Sequence, residues 1–203
     1  NGYEGMAHFL EHMLFLGSEQ FPEEGYFDKL VRENGGYTNA YTAFFETNYY
    51  YTVNKDKIKE TLDVFSRFFI DPLFDQSSVN REINAIESEH SKNINNDFWL
   101  IRQIILNLSI PKSTINFFST GNKETLDKAE IREQMKLFYE KYYRSNNVKL
   151  CVLSPDSIEN TEALIETYFK DVIDKTKELD IDDSEKYNIK NKEIQLIPRN
   201  NSK

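Results

Sequence analysis

The run His8-Phe9-Leu10-Glu11-His12 constrains this chain more than any other, because it sets two of only three histidines and a glutamate inside a stretch apolar on nearly every side. Ala7, Phe9, Leu10, Met13, Leu14, Phe15 and Leu16 read as a buried helix over Ala7–Leu16, with Gly17 placed to end it and Pro22 shortly beyond. At about 3.6 residues per turn, positions i and i+4 lie about 40° apart on one face, so both imidazoles can point at one ion. Glu11, at i+3, flanks the same spot and could accept a proton from water held there. A helix buried this fully should not carry such groups without partners, since each unpaired buried polar group costs on the order of a few kcal/mol. Metal ligation would supply the partners; the alternative is a pair of merely packed or solvated histidines. The His-x-x-Glu-His order is the inverse of the commoner His-Glu-x-x-His metal helix.

Two histidines do not complete a catalytic metal site, which usually takes three protein ligands and keeps a fourth position open. The only other histidine is His90, in a segment over Ser78–Leu108 that reads as one long helix. Val79, Ile83 and Ile86 define its apolar stripe. At about 100° per residue, His90 falls in the middle of that stripe, while Glu82 and Glu89 share one edge about 20° apart. Glu87 points roughly the opposite way from Glu89. Either edge carboxylate could reach a metal held by another helix, and a solvated charged edge is the alternative for both.

The chain resembles the insulinase (pitrilysin-type) zinc metallopeptidases, the inverzincins. The resemblance runs through HFLEHMLFLGSEQFPEEGYF, GGYTNAYTAFFETNYYYTV, FSRFFIDPLFDQSSVNREINAIESEH, KNINND and STGNKETL, covering roughly residues 5 to 153. That family's pattern is His-x-x-Glu-His followed by a Glu after 76 intervening residues, and 76 residues separate His12 from Glu89. The resemblance implies a zinc ion (Zn2+) held by His8, His12 and Glu89, with Glu11 as general base and Glu82 as a carboxylate orienting the ligands. It also implies that Asn39, Ala40 and Tyr41 lie on an edge strand beside the zinc, to which a peptide substrate adds as an extra strand. From pattern alone, Asn39–Thr42 is simply a strand. The resemblance breaks at Phe44-Phe45-Glu46, where the family pattern has a small or polar run containing His, and it does not carry over to that wall of the cleft.

Four related domains are implied for the parent chain, of which these 203 residues supply most of one, the N-terminal zinc-binding domain. Sheet strands are expected ahead of the zinc helix and lie outside this piece. Its partners are then peptide substrates and the remaining domains of the parent. The oxyanion and substrate-binding groups of the C-terminal half are also outside it, so the piece alone is expected to be inactive. The competing class is a non-catalytic scaffold or core-type subunit of the same superfamily; such subunits usually lose part of the metal motif, which is intact here.

Composition agrees with a globular domain. The length allows one sizeable core, and 15 Phe with 12 Tyr make much of its burial aromatic. A net charge of −9 argues against nucleic acid, whose phosphates need a positive surface. The apolar run at the zinc helix is too short for a membrane span and carries ionisable residues. Cys151, the single cysteine, excludes an internal disulfide and favours a cytoplasmic over a secreted setting.

Helices are expected over Ala7–Leu16, Glu24–Glu33, Lys55–Ile70, Ser78–Leu108, Ile131–Tyr143 and Ser157–Val172. Gly35-Gly36 would stop the second and turn the chain into a hairpin of Tyr37–Phe44 and Thr47–Val53. Val148–Leu153, with Cys151 inside it, and Glu193–Pro198 read as further strands. The order suggests an α+β fold, a largely antiparallel mixed sheet with helices packed on one face. Residues 174–191, rich in Lys, Asp and Glu, read as an exposed charged loop or linker.

Overall fold

The computed structural model describes residues 3–108 and 118–172. Helix α1 (Met6–Leu14) runs through the centre, with Phe9, Leu10 and Leu14 fully buried. Around it pack α4 (Gln76–Asn93), the antiparallel hairpin β1 (Tyr37–Thr42) and β2 (Thr47–Thr52), and α7 (Ile131–Tyr142). Helices α2 (Tyr26–Glu33) and α3 (Ile58–Ser66) close one side of the core, and α8 (Ile158–Phe169) lies against α3. Phe27, Phe65, Phe68, Phe69, Tyr49 and Tyr51 meet mostly edge to face, so the core is aromatic as its composition requires. Each such side chain buried contributes about 1.5–3 kcal/mol.

Alternation sets the hairpin. Thr38, Ala40 and Thr42 on β1 and Thr47, Tyr49 and Tyr51 on β2 are half-buried toward the helices, while Tyr37, Asn39, Tyr41, Asn48 and Tyr50 face outward. This is the expected α+β arrangement, with an antiparallel sheet carrying helices on one face. Among the described residues the sheet has two strands.

Several expectations are corrected. The single helix over Ser78–Leu108 is two: α4 ends at Asn93 and α5 (Asp97–Asn107) restarts behind Asn96, whose side chain accepts from Phe98 N at 2.9 Å. Three asparagines in residues 93–96 compete with the backbone for its own hydrogen bonds, and one becomes a cap. The helix over Lys55–Ile70 is α-helical only at Ile58–Ser66 and tightens to 3₁₀ turns at both ends. Val148–Leu153 forms no ladder with any described strand, and Cys151 is exposed rather than in a core strand. Only Val148 and Val152 in this run are half-buried, the three residues between them being exposed, and a strand also needs a partner to pair its backbone. Glu193–Pro198 and residues 174–191 lie outside the described residues.

Candidate metal centre

Helix α1 begins where Gly5, in the left-handed region at φ 87°, meets Gly121 so closely that a Cβ on Gly5 would sit 2.2 Å from Gly121 Cα. This backbone contact places the neighbouring Thr120 carbonyl over His8, whose Nδ1 donates to it at 2.7 Å. A Gly5→Ala substitution is therefore expected to cost at least about 2 kcal/mol, combining a strained φ with a backbone clash. A thermal melting point lowered by several degrees in the full-length protein checks it.

His12 is fixed the same way from α4. Its Nδ1 donates to Glu82 Oε2 at 3.0 Å. A carbonyl and a carboxylate can only accept, so both Nδ1 atoms carry a proton, and in the neutral imidazoles that bind a metal both Nε2 atoms are bare. Those two Nε2 atoms face each other at 3.3 Å, and with both rings neutral their lone pairs repel unless a proton or a cation lies between them. Glu89 brings a carboxylate oxygen to 3.6 Å from His8 Nε2 and 3.9 Å from His12 Nε2. Ligand atoms of the three residues all lie within 4.8 Å of one another. Two nitrogens bound to one tetrahedral zinc at about 2.0–2.1 Å stand about 3.3–3.4 Å apart, so the imidazole pair is already at ligand spacing. Two imidazoles and a carboxylate suit a transition-metal cation of borderline softness, zinc among them, better than calcium or magnesium. In the same direction, His12 binds a proton more readily than an ordinary histidine. Burial alone would lower its pKa, but the Glu82 hydrogen bond and the charges of Glu89, Glu82 and Glu11 outweigh it.

Glu11 is 8% exposed and accepts from the Thr42 hydroxyl at the end of β1. Thr42 in turn lies 3.3 Å from the Thr47 hydroxyl, and behind them Tyr49 and Tyr143 share a hydroxyl contact of 2.7 Å. Burial pushes Tyr143 up to about 12, so both phenols stay neutral and the floor of the site adds no charge. Glu11 thus stands beside the His pair with one oxygen held by Thr42.

The cluster opens into a cleft of about 620 Å³ that Asn39, Ala40 and Tyr41 also line. Ala43 N donates to Glu46 O at 2.8 Å across the turn, and the hydrogen-bonded pairs then alternate back through Tyr41–Asn48 and Asn39–Tyr50. The N–H and C=O of Ala40 consequently point away from β2, at an edge that no described strand pairs. Ala40 N–H is occupied by Asn39 Oδ1 at 2.9 Å, a contact that an incoming strand could replace.

The structure therefore brings together His8, His12, Glu11, Glu82 and Glu89, with the Asn39–Tyr41 strand on the same cleft. His90 is not among them; its ring packs on Phe118 at 5.2 Å. Sequence reasoning placed Thr42 in the candidate strand but missed its bond to Glu11, and it missed Thr120, which acts through its backbone and leaves no side-chain signal. It also missed Trp99 and Arg102 on the cleft wall.

An inverted His/Glu metal helix braced by carboxylate and carbonyl, opening on a strand edge, defines a metallopeptidase-type domain. The family model described as Insulinase (Peptidase family M16) matches residues 1–112, and that of the Peptidase M16 inactive domain matches residues 130–202. The chain belongs to the insulinase family, peptidase family M16. It is 44% identical to the insulin-degrading enzyme homolog of Dictyostelium discoideum over 85% of this chain and 18% of that protein. With the human insulin-degrading enzyme it shares 38% identity over 84% of this chain and 17% of the other. The crystal structure of pitrilysin superposes with a TM-score of 0.81 at 30% identity, over 89% of this chain and 20% of that one. The chain spans less than a fifth of the length of these curated relatives.

Proposed function

We propose that this chain is the zinc-binding part of a larger metalloendopeptidase that hydrolyses peptides, residues 1–203 forming most of one domain of the parent. The observation that carries the reading is the pair of bare Nε2 atoms 3.3 Å apart beside Glu89, with both outer nitrogens tied down. His8, His12 and Glu89 would hold zinc. When bound, zinc supplies Lewis acidity, making water more acidic and a carbonyl more electrophilic.

The remaining work falls to this chain's own groups. Glu11 accepts a proton from the attacking water at its free carboxylate oxygen while Thr42 fixes the other. It then returns that proton to the leaving amine. Glu82 and the Thr120 carbonyl keep both imidazoles in one tautomer and one orientation, so no reorganisation is needed at reaction. The outward N–H and C=O of Ala40 offer main-chain hydrogen bonds to a peptide laid along β1, which favours extended segments with little demand on their side chains. Asn39 and Tyr41 flank that edge. The remaining domains of the parent chain would close the cleft and complete it, so the domain by itself is expected to lack turnover. No described helix is long and apolar enough to cross a membrane.

The test is zinc content and cleavage of quenched fluorescent peptides by the full-length protein purified without chelators. Near-stoichiometric zinc with turnover supports the peptidase; a protein that takes up no zinc and cuts nothing would be a scaffold of the same fold.

A further inference from the structure

Arg102 lines the cleft of the metal cluster and is the one cation there that no described carboxylate pairs. Arg32 on the same wall is taken by Asp28 at 3.0 Å, and the two histidines face Glu82 and Glu89. The Arg102 guanidinium lies over the rings of Phe44 at 5.3 Å and Trp99 at 5.5 Å. Its described hydrogen-bond acceptor is the Ser119 hydroxyl at 3.5 Å, which is long. Ser119 precedes Thr120, whose carbonyl anchors His8, and Phe44 lies two residues beyond Thr42, which holds Glu11. Arg102 therefore contacts the two segments that anchor His8 and Glu11, at Ser119 and at Phe44.

We propose that Arg102 is a specificity-determining residue that binds a substrate carboxylate beside the bond to be cut. The two rings hold a long, flexible side chain in place while offering no acceptor for its planar fork of N–H donors. A guanidinium held in this way loses little further freedom when it binds, and its fork matches a carboxylate in two parallel hydrogen bonds. The matching ligand is an Asp or Glu side chain, or the free carboxylate of a peptide's C-terminus. Phe44 belongs to Phe44-Phe45-Glu46, the run at which the sequence departs from the pattern that the resemblance implies. The inference rests on the peptidase reading, because it places the carboxylate in the substrate of that site.

The experiment uses the full-length protein carrying Glu11→Gln, so that bound peptide is not cut. Binding of labelled peptides that differ only by Glu against Gln at successive positions is read by fluorescence anisotropy, with free-acid and amidated C-termini. One carboxylate position should bind about 10-fold tighter than its neutral counterpart. Adding Arg102→Leu should bring that ratio close to one. Arg102→Lys, which keeps the charge and loses the fork, should retain part of it. Each ratio is taken within one preparation, so partial misfolding cancels. An effect of side-chain Glu assigns the carboxylate to the side chain, and an effect of amidation assigns it to the chain end. Ratios near one at every position, or a ratio unchanged by Arg102→Leu, would overturn the proposal. If the protein with Glu11 intact cleaves nothing, the peptidase reading fails while the binding ratios still decide the role of Arg102.

Discussion

Glu11→Gln in the full-length protein is expected to leave zinc bound and to lower kcat by at least about 10². The two halves of this result have different causes. Glu11 is not part of the close group of His8, His12 and Glu89; its described hydrogen bond is to Thr42, and the amide can still accept that bond through its oxygen. Metal content should accordingly match the unsubstituted protein. An amide has no basic lone pair at neutral pH, so the proton of the attacking water has no acceptor at that position. Zinc by atomic emission and kcat on a quenched peptide, measured on one preparation, read both halves. Turnover that survives the substitution would remove Glu11 from the chemistry. Lost zinc would instead mean that Glu11 is a ligand or a brace of the cluster.

The legible part of this site is the part written in one helix. Two histidines at i and i+4 with Glu11 between them need no tertiary information to share a face, and α1 forms with a buried Glu11 as that pattern demands. Glu82 and Glu89 were readable as neighbours on one helix edge, but helical phase alone left either free to be the ligand. The structure separates them by distance: Glu82 reaches the outer Nδ1 of His12, and Glu89 faces the inner Nε2 atoms. The break between α4 and α5 was hidden because apolar residues continue through Ile94 while the asparagines that stop the helix are polar in any case. Thr120 could not have been found, since a backbone carbonyl has no residue type. Arg102 was missed for another reason. Its partners Phe44 and Trp99 lie 58 and 3 residues away in sequence, and only the fold brings the turn after β1 against α5. The strand expected at Val148–Leu153 has no partner among the described residues, because a short run of strand-forming residues does not specify what it pairs with.

The carboxylates of α4 allow the ligand set to be ranked by one measurement. Glu89→Gln is expected to weaken zinc binding in the full-length protein by more than about 100-fold, Glu82→Gln by about 10- to 100-fold, and Glu87→Gln hardly at all. Glu89 offers the third donor at 3.6 and 3.9 Å from the two bare nitrogens, and its amide would bring neither the charge nor the basicity that offsets the cation. Glu82 acts one atom further out. Its loss frees the His12 ring to turn and to change tautomer, which lowers the affinity without deleting a ligand. Glu87 is only two residues from Glu89, yet its carboxylate accepts from Lys123 N at 2.7 Å, at the first turn of the short helix α6 (Lys123–Leu126). Its substitution should therefore touch the start of α6 and leave the metal alone. Competition with a chromophoric zinc chelator gives all three constants on one scale. Equal affinities for the Glu89 and Glu87 variants would contradict the ligand assignment, and a Glu82 variant weaker than the Glu89 variant would exchange their roles.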